Sequence, residues 1–487
     1  MKVNYKFKTK PYRHQITALE RCTGKKSFGF FMEMGTGKSK VLLDDIARLY
    51  TEGEIDFALI IAPKGVYRNW VEMEIPIHFW EDVPTYMSSW QSPMTSSRKA
   101  EIKRMINATG KMKIFVMNVE AYSSIKGRES GTFFGKKFGD KGLIAVDEST
   151  TIKNHKAKRT KALIKVSRLF KYKRILTGSP VTNTPMDLYS QCEFLGEKML
   201  GFSSFYAFQA RYAVLKSVKM GALSFQKVVG FRNIDELTTK LEEFSYRVLK
   251  KDCLDLPDKT FTSRHIELSK EQSDMYKKIQ KQAMIMFDNG ELVTAPAVIT
   301  QMLRLQQILS GYLKTDEGEL IEFPTQRLDA LLDICGETSG KMIIWSRFRY
   351  DIIHITKQLN KTFGEGTAAS FFGDTTDDER QKVIRDFQSR TSDLRFFVGN
   401  PATAGRGLTL TEANTVVYYT NDFNLDTRSQ SEDRCHRIGQ KNPVTYVDLI
   451  CDKTIDEKIV AALRGKINIS AQVLGEKARE WLEIKKT

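Results

Sequence analysis

The segment Glu33–Ser39, read Glu-Met-Gly-Thr-Gly-Lys-Ser, restricts the possible folds of this chain more than any other stretch. A glycine-rich turn that ends in Gly-Lys-Ser typically joins a buried strand to a helix in an α/β sheet. Its backbone N–H groups can surround phosphate oxygens, its lysine can reach the β- and γ-phosphates, and its serine hydroxyl can bind Mg²⁺. A chance occurrence in a structural turn is the alternative. The candidate ligands for ATP and Mg²⁺ are Gly35, Thr36, Gly37, Lys38 and Ser39.

Short apolar runs bounded by turn residues recur in the first part of the chain and again towards its end. Such runs predict buried parallel strands, and amphipathic stretches between them supply crossover helices. The pattern therefore predicts an α/β protein with two parallel-sheet lobes. The predicted strands are Phe57–Ala62, Lys113–Asn118, Leu143–Asp147 and Tyr172–Thr177 in the first lobe, and Lys341–Ser346, Ala368–Phe372, Arg395–Val398, Thr415–Thr420 and Thr445–Ile450 in the second.

Residues 190–325 break this alternation. A capping-box pattern at Ser269–Gln272 begins a predicted helix, and Ile299–Leu313 carries apolar residues at helical spacing. Two β-prone runs within Arg211–Arg232 predict a hairpin. We therefore expect lobe one over residues 1–190, a mostly helical insert over 191–325 with a hairpin at 211–232, and lobe two with C-terminal helices over 326–487.

The charge of the chain favours a polyanionic partner. Lysine and arginine outnumber aspartate and glutamate by 76 to 59, which gives a formal net charge of +17, and nucleic acid is the usual partner of such a chain. A basic soluble enzyme without such a partner is the alternative. The six cysteines form no Cys-x-x-Cys pair, and no apolar run approaches the roughly 20 residues that span a bilayer. These features predict a cytoplasmic protein without zinc, disulfides or a membrane segment.

Polar signatures follow the predicted strands of lobe one, where open α/β sheets bind ligands. Asp147 and Glu148 come at the end of one strand: the aspartate would hold Mg²⁺ through water, and the glutamate would deprotonate the attacking water. Leu176–Asn183 follows the next strand with hydroxyls and an amide that could sense the γ-phosphate. Gln15 precedes the first helix and has an amide able to bond both edges of adenine.

Two arginines one helical turn apart occur far from the phosphate loop, in the stretch Gln430–Gln440. They are Arg434 and Arg437, and they could complete the positive charge around a γ-phosphoryl group from the second lobe. Together with the phosphate loop, they predict a motor driven by nucleotide hydrolysis.

Taken in order, these motifs resemble those of superfamily-two helicases, specifically Swi/Snf-type DNA translocases in a short stand-alone form. The resemblance covers nearly the whole chain, and its most specific part is Asp433–Gln440, where the arginine motif continues as Ile-Gly-Gln. The matching segments are Gln15, Gly35–Ser39, Ile61–Lys64 with Trp70, Asp147-Glu148, Leu176–Asn183, Leu256–Lys259, Lys341–Ser346, Ala404–Leu408 and Gln430–Gln440.

The resemblance implies two RecA-like lobes and assigns roles to particular residues. Arg434 and Arg437 would contact ATP phosphates, Gln15 would read adenine, and Gly407 would lie at the nucleotide-facing end of lobe two. The implied contacts to a DNA backbone, independent of sequence, are Lys64, Asn118, Arg347 and Thr403.

Three positions depart from the family pattern. Asp147-Glu-Ser-Thr150 replaces the usual Asp-Glu-x-His, so the histidine that helps couple two motifs is absent. Met32 stands where the longer phosphate-loop pattern begins with glycine, and His14 replaces a common tyrosine. None of these positions has to hold charge.

The position of a DNA-binding path is inferred from the density of positive charge along the sequence. Residues 153–174 contain ten lysines and arginines and no aspartate or glutamate, a density suited to neutralising phosphates. A solvated basic face explains the same run equally well.

The sequence thus predicts an ATP-dependent, Mg²⁺-requiring DNA translocase that moves along or remodels double-stranded or branched DNA. One alternative is a helicase that separates strands at forks. A nucleotide-dependent clamp or scaffold that binds DNA and barely turns over is another, and a nucleotide hydrolase without a nucleic-acid partner is the last.

Overall fold

The computed structural model describes residues 6–64, 66–182, 184–220, 223–254, 256–288, 295–315, 317–375, 377–404, 408–422, 424–460 and 463. These residues divide into two compact units, which we call unit 1, up to residue 254, and unit 2, from residue 256 onward. The boundary falls inside the expected insert, so that segment contributes elements to both units.

Unit 1 contains a seven-stranded parallel sheet with the strand order β3-β4-β2-β5-β6-β1-β9. Strands β7 and β8 pair separately as an antiparallel hairpin. The strands are β1 (Ser27–Met32), β2 (Phe57–Ala62), β3 (Thr85–Ser89), β4 (Met112–Asn118), β5 (Gly142–Asp147), β6 (Tyr172–Leu176), β7 (Ala213–Met220), β8 (Leu223–Phe231) and β9 (Ser245–Val248). The α-helices are α1 (Arg13–Cys22), α2 (Lys38–Thr51), α3 (Tyr67–Asn69), α4 (Ile75–His78), α5 (Ser96–Asn107), α6 (Ile125–Phe138), α7 (Lys158–Ser167), α8 (Leu188–Leu195), α9 (Phe205–Tyr212), α10 (Ile234–Glu242) and α11 (Lys250–Cys253).

Unit 2 contains a six-stranded parallel sheet with the order β10-β17-β16-β13-β15-β14, and β11 and β12 form a separate antiparallel pair. Its strands are β10 (Lys259–Ile266), β11 (Tyr312–Lys314), β12 (Leu320–Glu322), β13 (Lys341–Trp345), β14 (Ala368–Phe371), β15 (Phe396–Gly399), β16 (Ala413–Tyr418) and β17 (Val444–Cys451). Its helices are α12 (Lys270–Asp288), α13 (Ala295–Leu309), α14 (Gln326–Glu337), α15 (Arg349–Phe363), α16 (Asp377–Gln388), α17 (Pro401–Ala404) and α18 (Leu425–Glu432).

Successive side chains of the central strands point to opposite faces of the sheet, so each unit has two apolar layers. In β2, Phe57, Leu59 and Ile61 pack into one cluster of unit 1, while the intervening residues pack into the other. In β13 of unit 2, Met342 and Ile344 face one cluster, and Ile343 and Trp345 face the other. Each such large side chain gains about 1.5–3 kcal/mol from burial. Strands buried on both faces read as continuous apolar runs, which is why the sequence located them.

The expected fold class is confirmed, since each unit is built on a parallel sheet with helices. All nine predicted strands are present, with ends shifted by two residues or fewer. The capping box is also present: Ser269 N donates to Gln272 Oε1 and Gln272 N donates to Ser269 Oγ, both at 3.2 Å. None of the described helices is long and apolar enough to cross a membrane.

The middle segment contains more strand than the sequence predicted. Strand β9 has only four residues, and β10 is an edge strand with mostly exposed side chains, so neither shows the apolar run that marks a buried strand. The expected hairpin is present as β7 and β8, although its turn residues 221–222 lie outside the described part. Two further expectations lie outside the described part of the chain: the C-terminal helices after residue 463, and the position of Gly407.

Candidate functional site

The phosphate loop of unit 1 connects β1, a strand that the sequence analysis did not predict, to α2. Gly35 and Gly37 adopt positive φ angles of 79° and 86°, a region that side chains disfavour. A Cβ atom on Gly37 would lie 2.2 Å from Gln15 Nε2. The glycine is therefore required both by backbone conformation and by the close approach of α1.

The start of α1 braces this loop. Gln15 Nε2 donates to Thr36 O at 3.0 Å, and Gln15 Oε1 accepts from Tyr12 N at 3.0 Å. The His14 ring contacts the same carbonyl through Nε2 at 2.8 Å. Because Gln15 is 1% exposed, its amide has a positioning role for the loop in addition to the adenine contact that the resemblance implies.

Lys38 lies at the start of α2 and is largely buried. Its Nζ lies 3.5 Å from Glu33 O, and Thr36 Oγ1 donates to the same carbonyl at 2.7 Å. The Glu33 side chain accepts from Lys250 N at 2.8 Å, so the loop is also bonded to the first residue of α11. Ser39 is the next residue of α2 and is half-buried.

The paired carboxylates lie at the carboxyl end of β5. Asp147 Oδ2 accepts from Trp70 Nε1 at 3.1 Å, and Oδ1 accepts from Glu148 N at 3.0 Å. Burial raises the pKa of Asp147 to about 7, the charge of Glu148 adds to this rise, and Lys38 opposes it. Lys38 and the two carboxylates therefore share one electrostatic environment, which is the pattern of a functional site.

Glu148 has a φ angle of +48°, which is uncommon for a residue with a side chain. Its carbonyl accepts from Thr151 N at 2.9 Å, within a 3₁₀ turn that runs from Ser149 to Ile152. A conformation of this kind persists when the surroundings hold it, and it is frequent at functional sites.

The residues at this edge fit ATP and Mg²⁺ by their chemistry. Gly37 has no Cβ atom, which lets the Gln15 amide pack against the loop, and the positive φ angles of Gly35 and Gly37 permit its tight turn. Ser39 and Asp147 offer the oxygen ligands that Mg²⁺ prefers, and a divalent cation would favour the ionised form of an aspartate whose pKa is raised. Among the described residues, no group of three or more His, Cys, Asp or Glu side chains could hold a metal.

The segment Leu176–Asn183 approaches the phosphate loop. A Cβ atom on Gly178 would lie 3.0 Å from Met34 Cγ. Arg247 of β9 donates to Phe31 O at 3.2 Å and to Gly178 O at 2.6 Å, which ties β1 to this segment. Asn183 lies outside the described residues.

Three buried side chains that sequence reasoning missed connect these elements. Ser149 Oγ donates to Gln191 Oε1 at 2.7 Å, and Gln191 Nε2 donates to Pro180 O at 2.7 Å. Ser190 Oγ bonds to Ile152 O at 2.7 Å. Single polar residues on the helical face of α8 carry no recognisable motif. The sequence signalled a change here only through Thr150, which stands where the Asp-Glu-x-His pattern has histidine.

Lys64 and Asn118, expected at the DNA path, follow neighbouring strands, since Ala62 of β2 lies opposite Asn118 of β4. The Lys64 side chain is exposed, and its backbone N donates to Glu120 Oε2 at 3.0 Å. Asn118 Oδ1 accepts from Ala121 N at 2.7 Å, so this side chain also caps a 3₁₀ turn.

The basic run 153–174 divides into two parts. At its end, Arg174 is fully buried and donates to Asp45 Oδ2 at 2.9 Å, and Lys171 pairs with Glu54 at 2.6 Å. These two residues stabilise unit 1. At its start, the side chains of Lys156, Lys158 and Lys161 are exposed.

In unit 2, Arg347 and Thr403 follow the adjacent strands β13 and β15. Arg347 Nη1 donates to Gln306 Oε1 at 3.2 Å and lies 3.9 Å from Asp422 Oδ1. Asn400 Nδ2 donates to Arg347 O at 2.7 Å, while Asn400 Oδ1 accepts from Thr403 N at 3.3 Å. The structure thus brings both expected DNA-contacting residues of unit 2 to one edge of its sheet.

The arginine motif of unit 2 is held by main-chain acceptors. Arg434 Nε donates to Gln430 O at 2.7 Å, and Arg434 Nη1 and Arg437 Nη1 both donate to Leu408 O at 3.1 Å. Arg434 is 2% exposed, whereas Arg437 is half-buried. Arg437 is therefore the more accessible of the two guanidinium groups.

The Ile-Gly-Gln continuation of this motif has a structural explanation. Gln440 Nε2 lies within 3.2 Å of the carbonyl oxygens of Thr411, Ala413 and Cys435. Gly439 has a φ of +102°, which allows the sharp change of direction. His436 Nε2 contacts Pro257 O at 2.8 Å, so the Leu256–Lys259 motif is bonded to the arginine motif.

Two family models match most of this chain. The SNF2-related domain family matches residues 18–311, and the helicase conserved C-terminal domain family matches residues 326–439. A solved structure, the SWI2/SNF2 ATPase core of Sulfolobus solfataricus in complex with dsDNA, is 25% identical, with 98% of this chain and 97% of that one covered and a TM-score of 0.42.

Two curated relatives show the extent of the similarity. YwqA of Bacillus subtilis, to which an ATP-dependent helicase/translocase activity is provisionally assigned, is 29% identical over 352 residues, with 70% of this chain and 36% of YwqA covered. CHR12 of Arabidopsis thaliana, provisionally an ATP-dependent DNA helicase, is 26% identical over 459 residues, with 91% and 39% covered. The chain thus spans less than half the length of either relative. The matches confirm the predicted class, and the chain belongs to the SNF2-related family of Swi/Snf-type superfamily-two helicases.

Proposed function

We propose that this protein is an ATP-dependent DNA translocase, which couples ATP hydrolysis to movement along or remodelling of double-stranded or branched DNA. The observation that carries the proposal is the half-buried Asp147 at the end of β5, directly before Glu148 and within the electrostatic reach of Lys38. A phosphate-binding lysine and an acidic pair in one environment have the chemistry of nucleotide hydrolysis. Membership of the SNF2-related family supports ATP as the nucleotide.

In this proposal each residue of unit 1 has one task. The loop N–H groups and the Lys38 ammonium bind the phosphates, while Gln15 and His14 keep the loop in shape. Ser39 and Asp147 would hold Mg²⁺, which when bound offsets phosphate charge and polarises the transferring group. Glu148 orients the attacking water and accepts its proton at a carboxylate oxygen.

Arg437, with Arg434, would provide positive charge as the phosphoryl group transfers. The half-buried guanidinium of Arg437 suits this task, and the buried Arg434 shares it with a structural role. Arginines of this kind act on charge that is largest in the transition state, so their loss affects turnover more than ATP affinity.

DNA is the proposed polyanion on three grounds. The net charge of the chain is +17, Lys156, Lys158 and Lys161 are exposed on unit 1, and the relative CHR12 is named as a DNA helicase. Contacts from Lys64, Asn118, Arg347 and Thr403 to backbone phosphates would be independent of base sequence.

The first experiment compares steady-state ATP hydrolysis without DNA, with single-stranded DNA, and with duplex or forked DNA. We expect duplex or forked DNA to stimulate turnover. Lys38→Ala should weaken nucleotide binding, because it removes a charge held against the phosphates, whereas the exposed Lys99→Ala should not. DNA binding without stimulated turnover would instead identify a nucleotide-dependent clamp, and equal nucleotide affinity in Lys38→Ala would remove this loop from the site.

Strand separation is a second candidate, and the β7–β8 hairpin favours it. The hairpin pairs only with itself among the described strands, and its exposed Val214 and Val229 accompany the exposed Lys216. Apolar side chains can wedge between base steps while basic residues hold the backbone. The other reading is that the hairpin only braces its surroundings.

Replacing Val218–Phe225 with a short Gly-Ser turn tests the wedge. We expect the loss of fork separation together with retained DNA-stimulated ATP hydrolysis. Preserved unwinding, or joint loss of both activities and of the folded state, would leave duplex translocation as the function.

A further inference from the structure

A buried hydrogen bond joins the residue after Glu148 to helix α8. Ser149 Oγ donates to Gln191 Oε1 at 2.7 Å, and both side chains are fully buried. A buried polar pair of this kind is costly to break, because the remaining partner cannot turn to water instead. The bond therefore fixes the main chain immediately beside the proposed catalytic base.

The orientation of the Gln191 amide follows from its other contacts. Gln191 Nε2 donates to Pro180 O and to Asp187 O, each at 2.7 Å, so both of its N–H groups are used. A rotated amide would point its oxygen at two carbonyl oxygens. Gln191 consequently holds Ser149 with its oxygen and the segment after β6 with its nitrogen.

The neighbouring residues of α8 reinforce both connections. Ser190 Oγ contacts Ile152 O at 2.7 Å and Lys153 O at 2.8 Å, on the side of Glu148. Asp187 Oδ2 accepts from Thr182 N at 3.1 Å and from Thr182 Oγ1 at 2.9 Å, on the side of the segment after β6. Both segments are therefore hydrogen-bonded to α8 or to its N-cap residue, Asp187.

The same connections lead to the basic run. Lys153 Nζ donates to Thr182 Oγ1, and Lys153 begins the run that carries the exposed Lys156, Lys158 and Lys161. The positive φ of Glu148 means that its carboxylate position depends on how its neighbours are held. The residues between Glu148 and the basic run are thus anchored to one helix.

We propose that Ser149 and Gln191 are positioning residues that couple the basic run and the segment after β6 to the placement of Glu148. In this chain they take the part that the absent histidine of the Asp-Glu-x-His pattern would have. The proposal rests on the proposed function, because it explains how DNA at the basic run stimulates hydrolysis at Glu148.

The test compares Ser149→Ala and Gln191→Leu with Ser167→Ala, which removes another buried hydroxyl that bonds a carbonyl, Ile164 O, at 3.0 Å. We expect DNA-stimulated kcat to fall about tenfold in the first two variants, with KM for ATP within about twofold of wild type. The double variant should be no slower than the slower single variant, since the two residues act as one unit. Ser149→Thr, which keeps the hydroxyl, should restore part of the rate.

Gln191→Glu adds a readout that a purely structural role would not move. Burial against two carbonyl oxygens raises the pKa of such a carboxyl, and its protonated form regains one donor as pH falls. DNA stimulation in this variant should recover towards lower pH relative to wild type, while thermal unfolding is followed in parallel. This comparison decides the proposal where Ser149→Ala fails to fold.

The coupling is wrong if the single variants keep full DNA stimulation, if their effects multiply, or if Gln191→Glu shows the pH profile of wild type. A loss of rate matched by Ser167→Ala would also overturn it. A wild-type protein that DNA does not stimulate would instead contradict the proposed function, so the two failures are distinguishable.

Discussion

Units 1 and 2 each contain an aspartate near the carboxyl edge of the sheet, half-buried Asp147 in unit 1 and buried Asp351 in unit 2, and their surroundings differ. Burial raises the pKa of both Asp147 and Asp351 to about 7. Asp147 lies beside a second carboxylate, with Lys38 opposing its rise in pKa. Asp351 accepts hydroxyl bonds from Ser346 at 2.7 Å and Ser310 at 3.2 Å, and so ties together β13, α13 and α15.

The difference shows that a raised pKa does not by itself identify a reactive group. Structural hydrogen-bond networks perturb acids as strongly as functional sites do. What separates Asp147 from Asp351 is the second carboxylate beside it and its place directly after a strand, near Lys38, whereas Asp351 lies on a helix and the cation that lowers its pKa is the buried Arg327. We therefore assign chemistry to Asp147 and a packing role to Asp351, and the following variants test that assignment.

The largest effect is expected in unit 2, from Arg437→Ala. Loss of an arginine that neutralises a transferring phosphoryl group typically lowers turnover by about 10³–10⁵-fold. ATP affinity should change much less, because that charge matters most in the transition state. If DNA-stimulated kcat decreases by less than about threefold, Arg437 does not neutralise the transferring phosphoryl group. Arg434→Ala should also lower thermal stability, since Arg434 is buried.

The second-largest effect on turnover is expected from Glu148→Gln. Removing a general base typically costs about 10²–10⁴-fold in rate, and nucleotide and DNA binding should remain because no phosphate ligand is lost. Asp351→Asn is the matched variant in unit 2, and we expect its turnover to stay near that of wild type. Equal losses of turnover in Glu148→Gln and Asp351→Asn would contradict the assignment of chemistry to unit 1 and of packing to Asp351.

The third comparison concerns pH. Both aspartates have folded pKa values above the ordinary 3.8. Their contribution to stability is therefore complete below about pH 4 and is lost as pH rises through about 7. Without nucleotide or Mg²⁺, we expect the unfolding temperature to fall between pH 5 and 8 by about 2–4 °C per kcal/mol lost. Asp147→Asn or Asp351→Asn should each flatten this slope.

Mg²⁺ with ADP then separates the two aspartates. The pair should raise the unfolding temperature of wild type and of Asp351→Asn at pH 8, but raise that of Asp147→Asn less, because ligand binding stabilises the folded state. The same increase in all three proteins would exclude Asp147 as a participant in metal binding.

The smallest effect is expected from the basic run. Replacing Lys156, Lys158 and Lys161 with alanine should reduce the slope of log affinity against log salt by about 0.9 per lost phosphate contact on duplex DNA. A control with equal charge loss replaces the exposed Lys99, Lys103 and Lys136. If both triple variants change the slope equally, the run is a solvated basic face.

The sequence alone determined the fold class and the nucleotide motifs. Strands buried on both faces had to be apolar along their whole length, so β2, β4, β5 and β13 were visible as runs. The Gly-Lys-Ser loop and the Asp-Glu pair were visible because phosphate and proton chemistry demand those residue types at fixed local spacing. Strands β9 and β10 left no such run, because one is short and the other is exposed at an edge.

Tertiary structure decided the contacts between residues far apart in the chain. Ser149 bonds to Gln191, Asp147 to Trp70, and the Gln15 amide to the main-chain carbonyl of Thr36, and none of these partners can be read from local spacing. Tertiary structure also gives the two ends of the basic run different environments. Packing buries Arg174 against Asp45, whereas Lys156 stays exposed. Residue type sets which bonds a side chain can make, and the fold alone decides which partner comes within reach.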